Sequence, residues 1–146
     1  LFGHIESKQN RIDHMLRIRD LQDKTGGFNA FIPLVYQRDN NYLKVENYPG
    51  SAEILKIFAI SRLVLDNVAH IKAYWATSTI NLAMVAQEFG ADDLDGTIQK
   101  ESIQSAAGAK SASGMSLRNF TDLIQTSGFV PVERDSLYNE LKIYDN

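Results

Sequence analysis

The sequence predicts an α/β fold in which parallel βα units form about half of a TIM-type (β/α)8 barrel. Apolar, β-prone segments alternate four times with segments of helical periodicity, and this alternation is typical of a parallel sheet with right-handed crossovers. The 146 residues allow roughly 36 residues per unit, whereas a complete barrel of eight units takes about 250. The first residues are already strand-like. We therefore interpret 1–146 as the C-terminal half of a barrel, with 129–146 as a C-terminal tail.

Local patterns place the individual elements. The charged segment 8–25 has a broad apolar face and ends at paired glycines, which predicts a helix. Aromatic and β-branched residues favour a strand at 28–36, and Pro33 should end its pairing nearby. We then expect a loop at 37–50, a helix capped by Ser51, a strand at 70–76, a loop and N-cap at 77–79, a helix at about 82–89, a last strand that starts in the acidic stretch, a helix at 98–109, a loop at 108–114 and a helix at 116–126.

Composition restricts the class of partner. The net charge is −3, with basic and acidic residues interspersed, so nucleic acid and anionic membranes are not expected as main partners. No apolar run approaches the roughly 18 to 20 residues that cross a bilayer. The chain contains no cysteine, which excludes disulfides and thiolate metal ligands from this chain, and we expect no metal site in it.

Polar side chains follow the first three predicted strands and lie around the fourth. In a parallel sheet these positions share one edge, where α/β proteins bind ligands, and together they would suit a polar small molecule. The candidates are His4, Glu6, Tyr36, Gln37, Trp75, Thr77, Ser78, Asp92, Asp93, Asp95 and Thr97.

Each candidate also has a structural interpretation. The acidic stretch 90–97 is either a turn, since Asp and Gly are common turn formers, or part of the site. His4 and Glu6 form either a ligand or acid–base pair, or a satisfied histidine and a helix-start carboxylate. The ring of Trp75 would either stack on a purine or pack in the core. The residues alone leave these alternatives open.

Longer motifs resemble a known family. The chain is similar throughout to the second half of the radical S-adenosylmethionine (SAM) enzymes of futalosine-type menaquinone synthesis and of deazaflavin synthesis. Within that family, the stretches 72–75 and 92–97 resemble the aminofutalosine synthases, with the sister cyclic dehypoxanthinylfutalosine synthases as the alternative. The motifs that carry the resemblance are Gly3-His4-Ile5-Glu6, Arg11-Ile12-Asp13-His14-Met15-Leu16-Arg17, Gly26-Gly27-Phe28-Asn29-Ala30-Phe31-Ile32-Pro33, Leu65-Asp66-Asn67 and Glu133-Arg134-Asp135-Ser136-Leu137-Tyr138.

The resemblance implies a cytoplasmic enzyme that uses SAM and a [4Fe-4S] cluster to join a 5′-deoxyadenosyl radical to an enolpyruvyl ether of 3-hydroxybenzoate. It further implies a substrate and SAM pocket lined by His4, Glu6, Tyr36, Trp75, Asp92, Asp93, Asp95 and Thr97, with individual roles unresolved. The family binds its cluster through a CxxxCxxC motif, and this cysteine-free chain departs from that pattern. We therefore expect it to be inactive alone, and to pair with the missing N-terminal half-barrel or with a second copy. A non-catalytic assembly module is the other interpretation.

Overall fold

The parallel sheet is built from short segments that pair in chain order. The structure, a computed structural model, describes residues 1–98, 102–108 and 114–145. Strand β1 (Ala30–Phe31) pairs in parallel with β2 (His70–Ile71). Isolated parallel bridges extend this pairing on either side, between Phe2 and Val35 and between Lys72 and Asp93. Four segments therefore run side by side in the same direction, which confirms a mixed α/β fold with a small parallel sheet.

Helices connect the paired segments, and a hairpin follows them. The helices are α1 (Lys8–Thr25), α2 (Ser51–Val64), α3 (Trp75–Ser78), α4 (Ile80–Ala86), α5 (Ile103–Ala106) and α6 (Leu117–Thr126), with a 3-10 turn at Gln87–Phe89 after α4. Strands β3 (Val132–Arg134) and β4 (Glu140–Ile143) pair in antiparallel fashion. No helix in the described part of the chain is long and apolar enough to cross a bilayer.

Helix α1 has the predicted bounds because both its ends are capped. The Ser7 hydroxyl accepts a hydrogen bond from the backbone N–H of Asn10, and the Asn10 side chain accepts one from the Ser7 N–H in return. Gly26 ends the helix in the left-handed conformation, with φ 58°, and donates its N–H to the Gln22 carbonyl at 2.7 Å. Glycine adopts this conformation without the penalty that a Cβ imposes.

One face of the sheet is covered by the helices. Ile71 and Ala73 are completely buried and belong to the same apolar core as Phe58 of α2 and Ala83 of α4. Since successive side chains in an extended segment point to opposite faces, Lys72 points to the other face. The sheet thus has a helical face and an opposite face, which we call the inner face.

The predicted strands are too long. The strand predicted at 28–36 pairs only at Ala30–Phe31 and, after Pro33 interrupts it, once more at Val35. The strand predicted at 70–76 and the loop predicted at 77–79 are both partly replaced by α3, which begins at Trp75. Backbone N–H groups of Thr77 and Ser78 bond the carbonyl of Tyr74 and close this turn of helix.

Other boundaries also differ from the predictions. Ser51 lies inside α2, whose N-cap is Gly50, so the predicted cap is wrong. Thr79 caps α4, as predicted, by accepting from the Leu82 N–H. Of the helix predicted at 98–109, the described residues show only α5; residues 99–101, and residues 109–113 of the predicted loop, lie outside them. The segment predicted only as a tail contains the β3–β4 hairpin.

Candidate functional site

The first candidate group lies in a tight turn after Phe2. The Glu6 carboxylate accepts hydrogen bonds from the backbone N–H groups of Gly3 and His4 at 2.6 and 2.9 Å. Nδ1 of His4 lies 3.2 Å from the same carboxylate. Arg11 of α1 donates to Glu6 at 2.6 Å and to Glu53 of α2 at 2.7 Å. Glu6 therefore connects the turn to two helices and orients the His4 ring.

These contacts determine the ionisation of Glu6. Burial alone would raise the pKa of its carboxyl group, but the backbone N–H groups of Gly3, His4 and Glu6 and the guanidinium of Arg11 together lower the pKa from 4.5 to about 2. Hydrogen bonds to the charged form favour it. Glu6 is therefore ionised near neutral pH and suits an anchoring role better than proton donation.

Side chains from neighbouring segments meet along the C-terminal edge of the sheet. The rings of His4 and Tyr36 contact each other edge to face, with centroids 5.9 Å apart. Gln37, the next residue, donates from Nε2 to the Thr77 carbonyl at 3.0 Å. The first segment thus contacts the second, and the second contacts the third.

Trp75 makes the next contact along this edge. Its indole Nε1 donates to the Gly96 carbonyl at 2.8 Å, and its side chain is buried in the core. The third segment is therefore joined to the fourth. We call this row of groups the rim, and it consists of His4, Tyr36, Gln37, Trp75, Thr77 and Gly96.

Asp92 lies away from the rim. Its carboxylate accepts hydrogen bonds from the Ile71 N–H at 2.7 Å and from Arg62 of α2 at 2.5 Å, and it lies 2.6 Å from Nδ1 of His70. His70 and Ile71 form β2, so Asp92 is at the opposite end of this segment from Trp75. This carboxylate fixes the beginning of the strand.

Asp93 lies on the inner face, in contact with the C-terminal hairpin. Its side chain is 8% exposed and accepts hydrogen bonds from Arg134 and from the Tyr138 hydroxyl, both at 2.6 Å. Lys72 lies 3.6 Å away. The Tyr138 ring stacks on His70, with centroids 3.9 Å apart. We call Lys72, Asp93, Arg134 and Tyr138 the Asp93 cluster.

The cluster holds Asp93 as a carboxylate. Burial would raise its pKa, but hydrogen bonds from Tyr138, from the Asp95 backbone N–H and from Arg134, with the charge of Lys72, lower it below the usual value. The pKa of Tyr138 is raised by burial and by its bond to Asp93. Neither group exchanges protons near neutral pH, so the cluster is suited to holding the hairpin on the sheet.

The last candidates flank the rim residue Gly96, with Asp95 directly before it and Thr97 directly after it. Asp95 has φ 65° and accepts a hydrogen bond from Lys72 at 2.6 Å. Thr97 is half-buried, and its carbonyl accepts from the Met115 N–H at 3.2 Å. The fourth segment therefore runs from the base of the sheet at Asp92 to the rim at Gly96.

The structure divides the predicted site residues into two groups. Those at or beside the rim are His4, Glu6, Tyr36, Trp75 and Thr97, whereas Asp92, Asp93 and Asp95 bond basic side chains below it. Sequence reasoning missed Lys72, Arg134 and Tyr138 as partners of these acids. The signal was present in Glu133-Arg134-Asp135-Ser136-Leu137-Tyr138, which contributed only to the family resemblance.

The donor groups do not fit an iron–sulfur cluster. The chain has no cysteine to supply thiolate ligands. Within residues 1–98, 102–108 and 114–145, no three His, Asp or Glu side chains are placed to hold a metal ion. A cluster that served this fold would need ligands from outside the chain.

Comparison with known sequences identifies the class. The sequence model of the "CofH/MqnC C-terminal region" matches residues 25–146, and the chain belongs to this family. It is 45% identical over 149 residues to the aminodeoxyfutalosine synthase of Thermus thermophilus, in a match that covers 99% of the chain and 40% of that relative. The family resemblance seen in the sequence is thereby confirmed.

Relatives with other names are also similar. The cyclic dehypoxanthine futalosine synthase of Streptomyces coelicolor is 42% identical, over 100% of the chain and 36% of its own length. The 5-amino-6-(D-ribitylamino)uracil–L-tyrosine 4-hydroxyphenyl transferase of Methanopyrus kandleri is 34% identical, over 99% of the chain and 40% of its own length. The chain spans about two-fifths of the length of these relatives.

Proposed function

We propose that this chain is the C-terminal part of a radical SAM aminodeoxyfutalosine synthase, and that its rim forms part of the wall around substrate and adenosyl group. One observation carries the proposal: contacts between His4 and Tyr36, Gln37 and Thr77, and Trp75 and Gly96 join four parallel segments along one edge. Ligands of parallel α/β sheets bind at this edge. The 45% identity to the Thermus thermophilus enzyme supports the choice of reaction.

The complete enzyme would act in menaquinone biosynthesis in the cytoplasm. SAM and a [4Fe-4S] cluster, held by the remainder of the polypeptide, would supply the 5′-deoxyadenosyl group that is joined to the enolpyruvyl ether of 3-hydroxybenzoate. Because the present chain contains no cysteine, it is inactive alone. Its contribution is to bind, orient and shield.

We assign different tasks to the two groups of candidates. The His4 ring is held between Glu6 and the edge of Tyr36, which orients it for a hydrogen bond to a substrate carboxylate. The Tyr36 hydroxyl makes only a long bond, of 3.4 Å, to the Leu43 carbonyl of the adjoining loop, and we assign Tyr36 and Thr97 to the same wall. The indole of Trp75 is buried and bonded to Gly96, so it supports the rim rather than stacking on a purine. The three aspartates maintain the sheet beneath.

Substitutions at the rim test this proposal in the full-length enzyme. We expect His4→Ala and Tyr36→Phe each to lower the rate of product formation about tenfold or more, since a lost hydrogen bond to a charged group costs about 1.5 to 3 kcal/mol. Iron content and folding should be unchanged. The measurement is product formed per enzyme, with iron content determined on the same samples.

Matched substitutions provide the controls. His14 and Tyr42 are exposed, and Tyr42 belongs to the loop after the second segment. His14→Ala and Tyr42→Phe should keep normal turnover. Normal turnover in both rim variants would refute the assignment, and failure of the reduced wild-type enzyme to release methionine from SAM would refute the reaction class.

The cyclic dehypoxanthine futalosine synthases provide a second candidate function, because their similarity to the chain is almost as high, at 42% identity. Product analysis separates the two. The full-length enzyme would be given the enolpyruvyl ether and, separately, dehypoxanthine futalosine. Aminodeoxyfutalosine from the first substrate supports our proposal, and a cyclic product from the second alone overturns it.

A further inference from the structure

The C-terminal hairpin has one charged face and one apolar face. Val132 pairs with Ile143 across the two strands, so these side chains share a face, and the exposed Leu141 lies next to them at a register shift between the Glu133–Lys142 and Arg134–Glu140 pairs. On the other face the Tyr144 hydroxyl donates to Glu133 at 2.7 Å, and Lys142 lies over the Tyr144 ring. The charged face therefore has its own contacts within the hairpin.

The apolar face is uncovered in this chain. Val132, Leu141 and Ile143 are 43%, 61% and 52% exposed, and every residue of β4 is exposed. A two-stranded hairpin is marginally stable by itself, and additional packing normally supports it. A row of exposed apolar side chains on a strand pair is also the pattern of a surface that another element covers.

The hairpin is anchored on the inner face of the sheet. Arg134 and Tyr138 bond Asp93, and Tyr138 stacks on His70 at the start of β2. The helices occupy the opposite face, which is formed by Ile71 and Ala73. The hairpin therefore lies against the face of the sheet that the helices leave open, at the end away from the rim.

We propose that the apolar face of the hairpin is the docking surface for the remainder of the same polypeptide, the part that precedes Leu1. This inference rests on the proposed function. The relatives extend well beyond the match, which covers 40% of the Thermus thermophilus enzyme, and the matched family is a C-terminal region. Further parallel strands that continue the sheet beyond Phe2 present their inner faces to the hairpin. The hairpin then closes the end of the sheet that lies opposite the rim.

Site-specific photo-cross-linking in the full-length protein tests this contact. A benzoylphenylalanine introduced at position 141 keeps the site apolar and reacts with whatever covers it. We expect intramolecular cross-links to peptides that precede Leu1, in several-fold higher yield than from the same probe at position 63. Leu63 is a matched control because it is an exposed leucine, at 78%, on α2 and on the helical side of the sheet.

The other outcomes contradict the proposal. Cross-links only between two copies would show that the surface is a dimer interface, and equal low yields at 141 and 63 would show that the surface is open to solvent. Activity is measured separately on the unlabelled enzyme. A protein that cross-links as expected but makes no product would refute the proposed function and leave the docking surface intact.

Discussion

At the scale of single residues, three neighbouring acids have different surroundings. Asp92 bonds Arg62 and the start of β2, Asp93 bonds the hairpin, and Asp95 bonds Lys72. Each carboxylate has a basic partner, so the apparent concentration of negative charge in the sequence is neutralised in the fold. These ion pairs indicate that Asp92, Asp93 and Asp95 stabilise the fold. The same segment then continues to the rim at Gly96.

Removal of the Asp93 charge should destabilise the protein. In Asp93→Asn the side chain keeps its shape, but Arg134 and Lys72 lose their carboxylate partner. Removing one partner of a buried ion pair lowers the unfolding free energy by about 3 kcal/mol or more. Urea denaturation measures this loss of unfolding free energy. Asp122→Asn is the control, because Asp122 is exposed on α6 and lies 3.9 Å from Arg118. This change should alter the unfolding free energy by less than about 0.5 kcal/mol. Equal losses in the two variants would contradict the prediction.

Glu6 should make stability depend on acid pH. Its pKa is about 2 in the folded protein and 4.5 ordinarily, so as the pH falls the unfolded chain binds the proton first. The stabilisation from Glu6 is therefore complete above pH 4.5 and is lost as the pH falls to 2. Denaturation of wild type and Glu6→Gln across this range should show a stability difference that shrinks with falling pH. A difference independent of pH would show that the ionised form is not what stabilises the turn.

The acids show how far the sequence predicts single residues. Their place at the start of the fourth segment followed from the preceding helix and glycine. Their partners did not, because Arg134 and Tyr138 are 41 and 45 residues from Asp93 in the chain. Contacts at such separations depend on how the hairpin packs, which local patterns do not specify.

At the scale of elements, two connections that leave the same edge of the sheet meet each other. The loop at 37–50 follows the second segment, and α5 comes after the fourth. Asn40 donates from its side chain to the Ala106 carbonyl at 3.1 Å and from its backbone to the Ala107 carbonyl at 3.4 Å. The two connections thus lie together beyond the rim.

Gly108 permits this approach. Its φ is +95°, and an added Cβ would lie 2.6 Å from the Cβ of Asp39. We expect Gly108→Ala to separate the connections and to increase amide hydrogen exchange in residues 37–50. Gly128→Ala is the matched control, because Gly128 shares a positive φ of 88° but has nothing within 4 Å. Unchanged exchange in the Gly108 variant, or equal increases in both, would contradict this account.

Helices were predicted better than strands for a physical reason. The bounds of α1 follow from Ser7 and Gly26, which lie beside the helix in sequence. Pairing of β1 with β2 instead depends on residues 40 apart, Ala30 and His70, and it extends for only two residues. The aromatic residues at 74 and 75 favour an extended segment locally, but packing of the indole in the core takes precedence and α3 begins there.

At the scale of the whole molecule, the sheet has different tasks at its two ends. The rim joins the segments where they end, and the Asp93 cluster joins them to the hairpin near where they begin. The alternation of segments and helices in the sequence predicted the common direction of the strands. The hairpin was not predicted, because its two strands are only three and four residues long and a register shift interrupts their alternation.

This separation places the proposed substrate contacts apart from the ion pairs of the sheet. Side chains at the rim other than the buried Trp75 can be exchanged with little loss of folding free energy, because the ion pairs of Asp92 and Asp93 are on another part of the sheet. Relatives named for two futalosine-type synthases and for a tyrosine hydroxyphenyl transferase retain 34% to 45% identity with this chain. A sheet whose ion pairs lie apart from its proposed substrate-binding edge allows side chains at that edge to vary while the strands stay in place.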